Sequence, residues 1–178
     1  MNTPVLLITW RRPDLLLRLI EALRPVAPRC LYVASDGPVL DDSASIEAVQ
    51  LCRLLIDSAI DWPCRVYRLF GASNLGCGNG PARAISWFFD CVEAGIILED
   101  DCIPHPDFFG FCESVLASYS SDSRVWCVSG NNYLRSDSRK SSSYYFSRYT
   151  MTWGWATWRD RWQQYDPELL QWPAFRDS

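Results

Sequence analysis

Residues 95–109 read G-I-I-L-E-D-D-C-I-P-H-P-D-F-F, and the fold turns on this stretch. Ile96, Ile97 and Leu98 form an uninterrupted apolar run, the signature of a strand buried on both faces. Three carboxylates follow at once: Glu99, Asp100 and Asp101. Pro106 then opens a helix that carries Phe108, Phe109, Phe111, Val115 and Leu116. Clustered carboxylates repel one another unless a cation joins them. Successive side chains on a strand point in opposite directions, so Asp100 and Asp101 cannot easily do the same job. One can ligate a hard divalent cation while the other reaches a neighbouring group. A site with few protein carboxylates suits Mg²⁺ or Mn²⁺, which add phosphate oxygens and water. An acidic turn that caps the next helix is the other reading.

Working outward, strand-like and helix-like segments alternate. Pro4 to Thr9 is a short β-rich run. Pro13 and Asp14 suit a first helical turn. Leu16, Leu19, Ile20 and Leu23 recur at helical spacing until Pro25. Cys30 to Ala34 is a second strand, closed by Ser35-Asp36-Gly37-Pro38. Ser43 is expected to cap a helix carrying Ile46, Val49, Leu51, Leu54 and Leu55. Cys64 to Phe70 is a third strand. Gly71 to Gly80 reads as a glycine-rich loop, Pro81 as the start of a helix, and Gly95 as its end. Arg124 to Ser129 reads as a fifth strand, residues 135–143 as a Ser-rich loop, and Tyr144 to Phe146 as a short strand. Such alternation predicts an α/β fold with a mostly parallel central sheet and helices on both faces.

The chain has 178 residues, a length that predicts one domain, and 48% hydrophobic residues, enough for a core. A net charge of -4 gives no global attraction for nucleic acid, so no nucleic-acid partner is expected. His105 is the only histidine, which excludes sites built from several. Sixteen of the 17 basic residues are arginine, so schemes that need two lysines are excluded. No two of the eight cysteines have zinc-knuckle spacing. No signal peptide or 18-residue apolar stretch is read, so buried free thiols, a cytoplasmic location and no transmembrane segment are expected. Peripheral membrane association stays open.

In open α/β sheets, ligands bind beyond the carboxyl ends of the strands. Four polar stretches fall there: Trp10-Arg11-Arg12, Ser35-Asp36, Asn74 to Gly80, and Glu99-Asp100-Asp101. A shared pocket is the simplest reading of four at consecutive strand ends. An Asx turn with Gly37 is the other reading of Asp36. The glycine stretch lacks both phosphate-loop and dinucleotide signatures.

Six stretches then carry a resemblance: T-W-R-R-P-D at 9–14, S-D-G-P at 35–38, N-L-G-C-G-N-G at 74–80, the segment from Ile96 to Phe109, R-V-W-C-V-S-G-N-N at 124–132, and W-G-W-A-T-W at 153–158. Together the sequence resembles a GT-A glycosyltransferase, nearest to family-2-like bacterial enzymes and the N-acetylglucosaminyltransferase I group. The resemblance is collinear from about residue 4 to 165. It implies a GT-A (Rossmann-like) nucleotide-diphospho-sugar transferase fold. Residues 1–130 would form the nucleotide-sugar donor half and 131–178 the start of an acceptor half, truncated by the end of the chain. It implies transfer of a sugar from a nucleotide-diphosphate donor, UDP by preference, to a hydroxyl on a glycan, lipid-linked or protein acceptor, with Mn²⁺ or Mg²⁺ and inversion. Asp101 would ligate the metal, supported by Glu99. Asp100, Asp36, Thr9, Arg12 and Arg83 would contact the donor nucleotide. Trp153 and Trp155 would line the acceptor side. Asp160 and Asp166 are the candidates for a general base, with neither singled out. A truncated, non-catalytic nucleotide-sugar-binding remnant is the alternative. A nucleotidyltransferase would need an early glycine-rich loop with Arg and Lys, which is absent.

Overall fold

The computed structural model describes residues 1–133, 143–170 and 172–176. Strands β1 (Val5–Thr9), β2 (Cys30–Ser35), β3 (Arg65–Phe70), β4 (Ala94–Glu99), β5 (Val128–Ser129) and β6 (Trp155–Trp158) form one sheet in the order β3-β2-β1-β4-β6-β5. The first four are parallel, and β6 runs antiparallel to both β4 and β5. Helices α1 (Pro13–Leu23), α2 (Ser43–Ala59), α3 (Gly76–Cys91) and α4 (Pro106–Ser118) follow β1 to β4 in turn; α5 (Arg159–Trp162) and α6 (Trp172–Arg176) are short. The expected α/β class, mostly parallel with helices on both faces, is the class observed.

Side-chain alternation on the strands explains the two layers. Val5, Leu7, Leu31, Val33, Ile96 and Leu98 face one way, onto α1, α2 and α4. Leu6, Tyr32, Ala34 and Ile97 face the other way, onto Ala84, Ile85, Phe88 and Phe89 of α3 and onto Trp155. Ile96, Ile97 and Leu98 are at most 1% exposed, as the apolar run required.

Several boundaries differ from the sequence reading, each for a physical reason. The cap of α2 is Asp42, whose carboxylate accepts from the Ser45 N–H at 3.0 Å, and Ser43 is the first helical residue. Ile46, Leu51 and Leu54 face solvent; Ser45, Val49, Cys52 and Ile56 make the buried stripe. Helix α3 begins at Gly76, five residues before Pro81, so three glycines lie in its first turns. Gly95 belongs to β4, where a Cβ would collide with the Phe88 ring, so only glycine lets α3 press this close to the strand. The fifth strand shrinks to Val128–Ser129 at the sheet edge, and Tyr144 to Phe146 is irregular rather than a strand. Trp155–Trp158 was not read as a strand, yet it is inserted between β4 and β5. The sheet therefore crosses the expected boundary at residue 130. Most of the Ser-rich loop, residues 134–142, lies outside the described residues.

All eight cysteines are free thiols; Cys52, Cys102 and Cys112 are buried as expected, whereas Cys77 and Cys91 are exposed. No helix among the described residues is long and apolar enough to cross a membrane.

Candidate functional site

The parallel strands bring their carboxyl ends to one edge, and the polar turns that follow them line one pocket. Its walls include Thr9, Trp10 and Arg12 at the end of β1, Asp36 after β2, Asn74 before α3, and Glu99-Asp100 at the end of β4. Arg83 joins this wall from α3. The cavity measures about 160 Å³.

Asp100 and Asp101 diverge as alternation requires. Asp100 is buried and turns back toward β1. Its Oδ2 accepts from the Thr9 hydroxyl at 3.0 Å and from the Trp10 N–H at 3.1 Å. Its backbone N–H continues the ladder to the Ile8 carbonyl. The Oδ1 atom lies 2.6 Å from Arg12 Nη2, an ion pair whose angle is poor for a hydrogen bond. Asp101 faces outward, with about a third of its side chain exposed. Its Oδ2 accepts from Arg12 Nη1 at 3.0 Å and its Oδ1 from Trp153 Nε1 at 3.0 Å.

Arg12 therefore supplies the cation that the acidic triplet demanded. Burial pulls its pKa down, but the attraction of Asp100 and Asp101 outweighs this and raises it. Burial pushes the Asp100 carboxyl above its ordinary range, against the Trp10 N–H, Arg12 and Thr9, which hold it down. Glu99 is raised by burial and then by its two acidic neighbours. Among the described residues, no group of three or more His, Cys, Asp or Glu side chains could hold a metal. Asp101 is the outward carboxylate, with both oxygens engaged by Arg12 and Trp153, so it offers at most one protein ligand to a cation.

Asp36 is more heavily engaged than an open base-reading acid would be. Its Oδ1 accepts from the Gly37 N–H at 2.8 Å, so the Asx turn is present. Its Oδ2 accepts from Asn74 Nδ2 at 2.9 Å and from the Leu75 N–H at 3.0 Å. Three protein donors thus converge on this carboxylate, against about four lone-pair positions. They tie the end of β2 to the start of α3.

Three residues to which the sequence reading gave no role of their own complete this edge. Trp10 Nε1 donates to the Gly37 carbonyl at 3.0 Å. Arg53, from α2, donates to the Gly71 carbonyl at 2.6 Å and lies over the Phe70 ring, joining the ends of β2 and β3. Asn74 links Asp36 to the Gly76 N–H. The signal for Arg53 was a cation close to the buried stripe of α2, between Val49 and Ile56. Trp10 and Asn74 had only their places in polar turns.

The acceptor-side and base candidates separate. Trp153 is exposed and reaches the site through Asp101. Gly154 makes the bend behind it at φ +71° and anchors it through the Gly130 N–H to its carbonyl. Trp155 is buried in the sheet against α3 and α5, packing near Trp162, so it is no acceptor wall. Strand β6 runs away from the site: Trp155 pairs with Ile97, and Trp158 pairs with Ala94. Asp160 consequently lies beyond the amino end of β4, at the opposite sheet edge, held by Arg161 Nη1. Asp160 is thereby set apart from the acidic site. Asp166 accepts from the Glu168 and Leu170 N–H groups and caps that turn. His105 caps α4, its Nδ1 accepting from the Asp107 N–H at 3.3 Å.

No protein-family model matches the sequence, and no curated protein does. Among solved structures, one similar chain is 4-diphosphocytidyl-2C-methyl-D-erythritol synthase from Anaerococcus prevotii. It is 11% identical, with a TM-score of 0.48, over 99% of this chain and 84% of that one.

Proposed function

We propose that the chain is a glycosyltransferase that moves a sugar from a nucleotide-diphosphate donor, UDP by preference, to an acceptor hydroxyl with inversion. The observation that carries this reading is the convergence of Thr9, Arg12, Asp36, Arg83 and Asp100 on one pocket at the carboxyl edge, with Asp101 at its rim. That is where an open α/β sheet takes its ligand.

In this reading Arg12 exchanges its hold on Asp101 for the donor diphosphate. A guanidinium suits phosphate through paired N–H donors. Asp36 and Asn74 shape the base end of the pocket, and Thr9 and the Trp10 N–H keep Asp100 oriented. A divalent cation, Mn²⁺ or Mg²⁺, would take Asp101 as its protein carboxylate and supply charge neutralisation to the departing diphosphate. The side chain that accepts the acceptor's proton is not assigned, since Asp160 and Asp166 are engaged elsewhere.

The engagement of Asp160 with Arg161, beyond the amino end of β4, favours a second reading, a binding remnant that holds the donor without turnover. Release of UDP from a panel of UDP-sugars separates the two. Transfer or hydrolysis with Mn²⁺ supports the enzyme. Donor binding with no UDP released supports the remnant, and neither binding nor release overturns both.

A further inference from the structure

Among the described residues, Trp153 is set apart by what its ring nitrogen meets. An indole has a single donor. Trp10, Trp62 and Trp158 give theirs to backbone carbonyls, and Trp162 gives its to the Ser86 hydroxyl. Trp153 donates to the Asp101 carboxylate at 3.0 Å, although the residue is 55% exposed. We propose that this indole is an autoinhibitory cap on Asp101, which the donor and its cation must displace to bind. The competition with the donor rests on the transfer reading above; the contact between indole and carboxylate does not.

The geometry makes Asp101 the contested group. Asp100 is buried, and its Oδ2 is held by the Thr9 hydroxyl and the Trp10 N–H. Asp101 is the outward member of the pair, and Arg12 Nη1 holds its Oδ2 at 3.0 Å while the indole holds its Oδ1. Once Arg12 turns to the diphosphate, the indole is the protein donor left on Asp101. The oxygen that a divalent cation would take is therefore already bonded. A hydrogen bond to an ionised acceptor is stronger than one between neutral groups, so it has to be displaced at a cost. That cost lowers the apparent affinity by the fraction of chains in which Asp101 stands uncovered.

The backbone behind the ring gives the cap a pivot. The Trp153 carbonyl accepts from Asn131 Nδ2 at 2.6 Å, and the Gly154 carbonyl accepts from the Gly130 N–H at 3.0 Å. The chain bends at Gly154, φ +71°, and Trp155 is then paired with Ile97 in the sheet. The main chain is thus held at Trp153, while the exposed ring turns about its own side-chain torsions. Uncovering Asp101 breaks one hydrogen bond and moves no strand.

The test uses Trp153→Phe, which keeps an aromatic ring and removes the N–H. Calorimetry titrates UDP into the full chain and into this variant, with and without Mg²⁺. With Mg²⁺, Trp153→Phe should bind UDP about fivefold or more tightly than the unaltered chain; without Mg²⁺ the two should bind alike. The sign is diagnostic, because a ring that stacked on the donor would weaken binding when altered. A second readout is fluorine NMR of the chain labelled with 5-fluorotryptophan, in which Trp153→Phe identifies the Trp153 resonance. That resonance should move in Asp101→Ala, and again when UDP and Mg²⁺ are added to the unaltered chain. UDP binding by Trp153→Phe that is equal or weaker with Mg²⁺, a gain that is the same without Mg²⁺, or a resonance indifferent to Asp101→Ala overturns the cap and leaves the transfer reading standing. UDP bound by neither chain overturns the transfer reading and, with it, the cap's competition with the donor.

Discussion

Arg12 is the residue on which the site's electrostatics balance. It faces a buried carboxylate and an exposed one, and both are held within ion-pair distance. Removing it leaves Asp100 charged in a dry setting that only Thr9 and the Trp10 N–H relieve. Arg12→Ala should cost about 2 kcal/mol in a urea melt, the range for orphaning a buried charged partner. Adding Asp100→Asn should recover part of that cost, because the two positions are coupled. Simple additivity would show that the pair does not interact. Gly154 is a second test at this scale. Its φ of +71° suits glycine, and an added Cβ would find room, 3.7 Å from Leu98 Cδ2. Gly154→Ala should therefore cost only the backbone strain, about 1 kcal/mol, measured by thermal unfolding. The carboxylate pair was legible before any coordinates, because strand alternation sends neighbouring side chains apart. What could not be read was the cation between them. Arg12 was expected beside the donor nucleotide, and only the fold shows it joining Asp100 and Asp101.

Among the elements, those with regular apolar spacing were the readable ones. Strands β1 to β4 and helices α1 and α4 emerged because one-sided or two-sided burial leaves a period in the sequence. Helix α3 hid its first turns behind Gly76, Gly78, Gly80 and Pro81, which disfavour helix intrinsically. Tertiary bonds override that: Asp36 holds the Leu75 N–H, and Asn74 holds the Gly76 N–H. Strand β6 was not read, and its Trp155 was expected on the acceptor side. Trp158 is 5% exposed, and its Nε1 donates to the Leu116 carbonyl of α4. Trp158→Ala should cost about 3–5 kcal/mol by denaturant unfolding, as for large core deletions. A loss under 1 kcal/mol would mean that β6 is not packed as described. The turn after α4 gives a pH signature. Arg124 side-chain and backbone donors hold the Asp122 carboxyl at about 2. A carboxyl depressed in the fold stabilises above its unfolded pKa, ~3.9, and loses that contribution as pH falls toward about 2. Asp122→Asn should flatten this part of the acid-unfolding curve without changing stability's response to pH between 5 and 7.

At the scale of the molecule, four parallel strands place four unrelated polar turns around one pocket, and no single turn announces a ligand. That convergence was foreseeable, because ligand sites in such sheets follow from topology. The place of Asp160 was not, because it depends on which way β6 runs. Once β6 is antiparallel to β4, Asp160 is carried to the far edge. The most direct test of the central claim is calorimetric titration of UDP into the full chain, with and without Mn²⁺. The account predicts saturable binding that strengthens with Mn²⁺. Asp101→Asn should lose the Mn²⁺-dependent gain, and Arg12→Ala should bind about tenfold or more weakly. Absence of UDP binding in the presence of Mn²⁺, or binding indifferent to both substitutions, would contradict it.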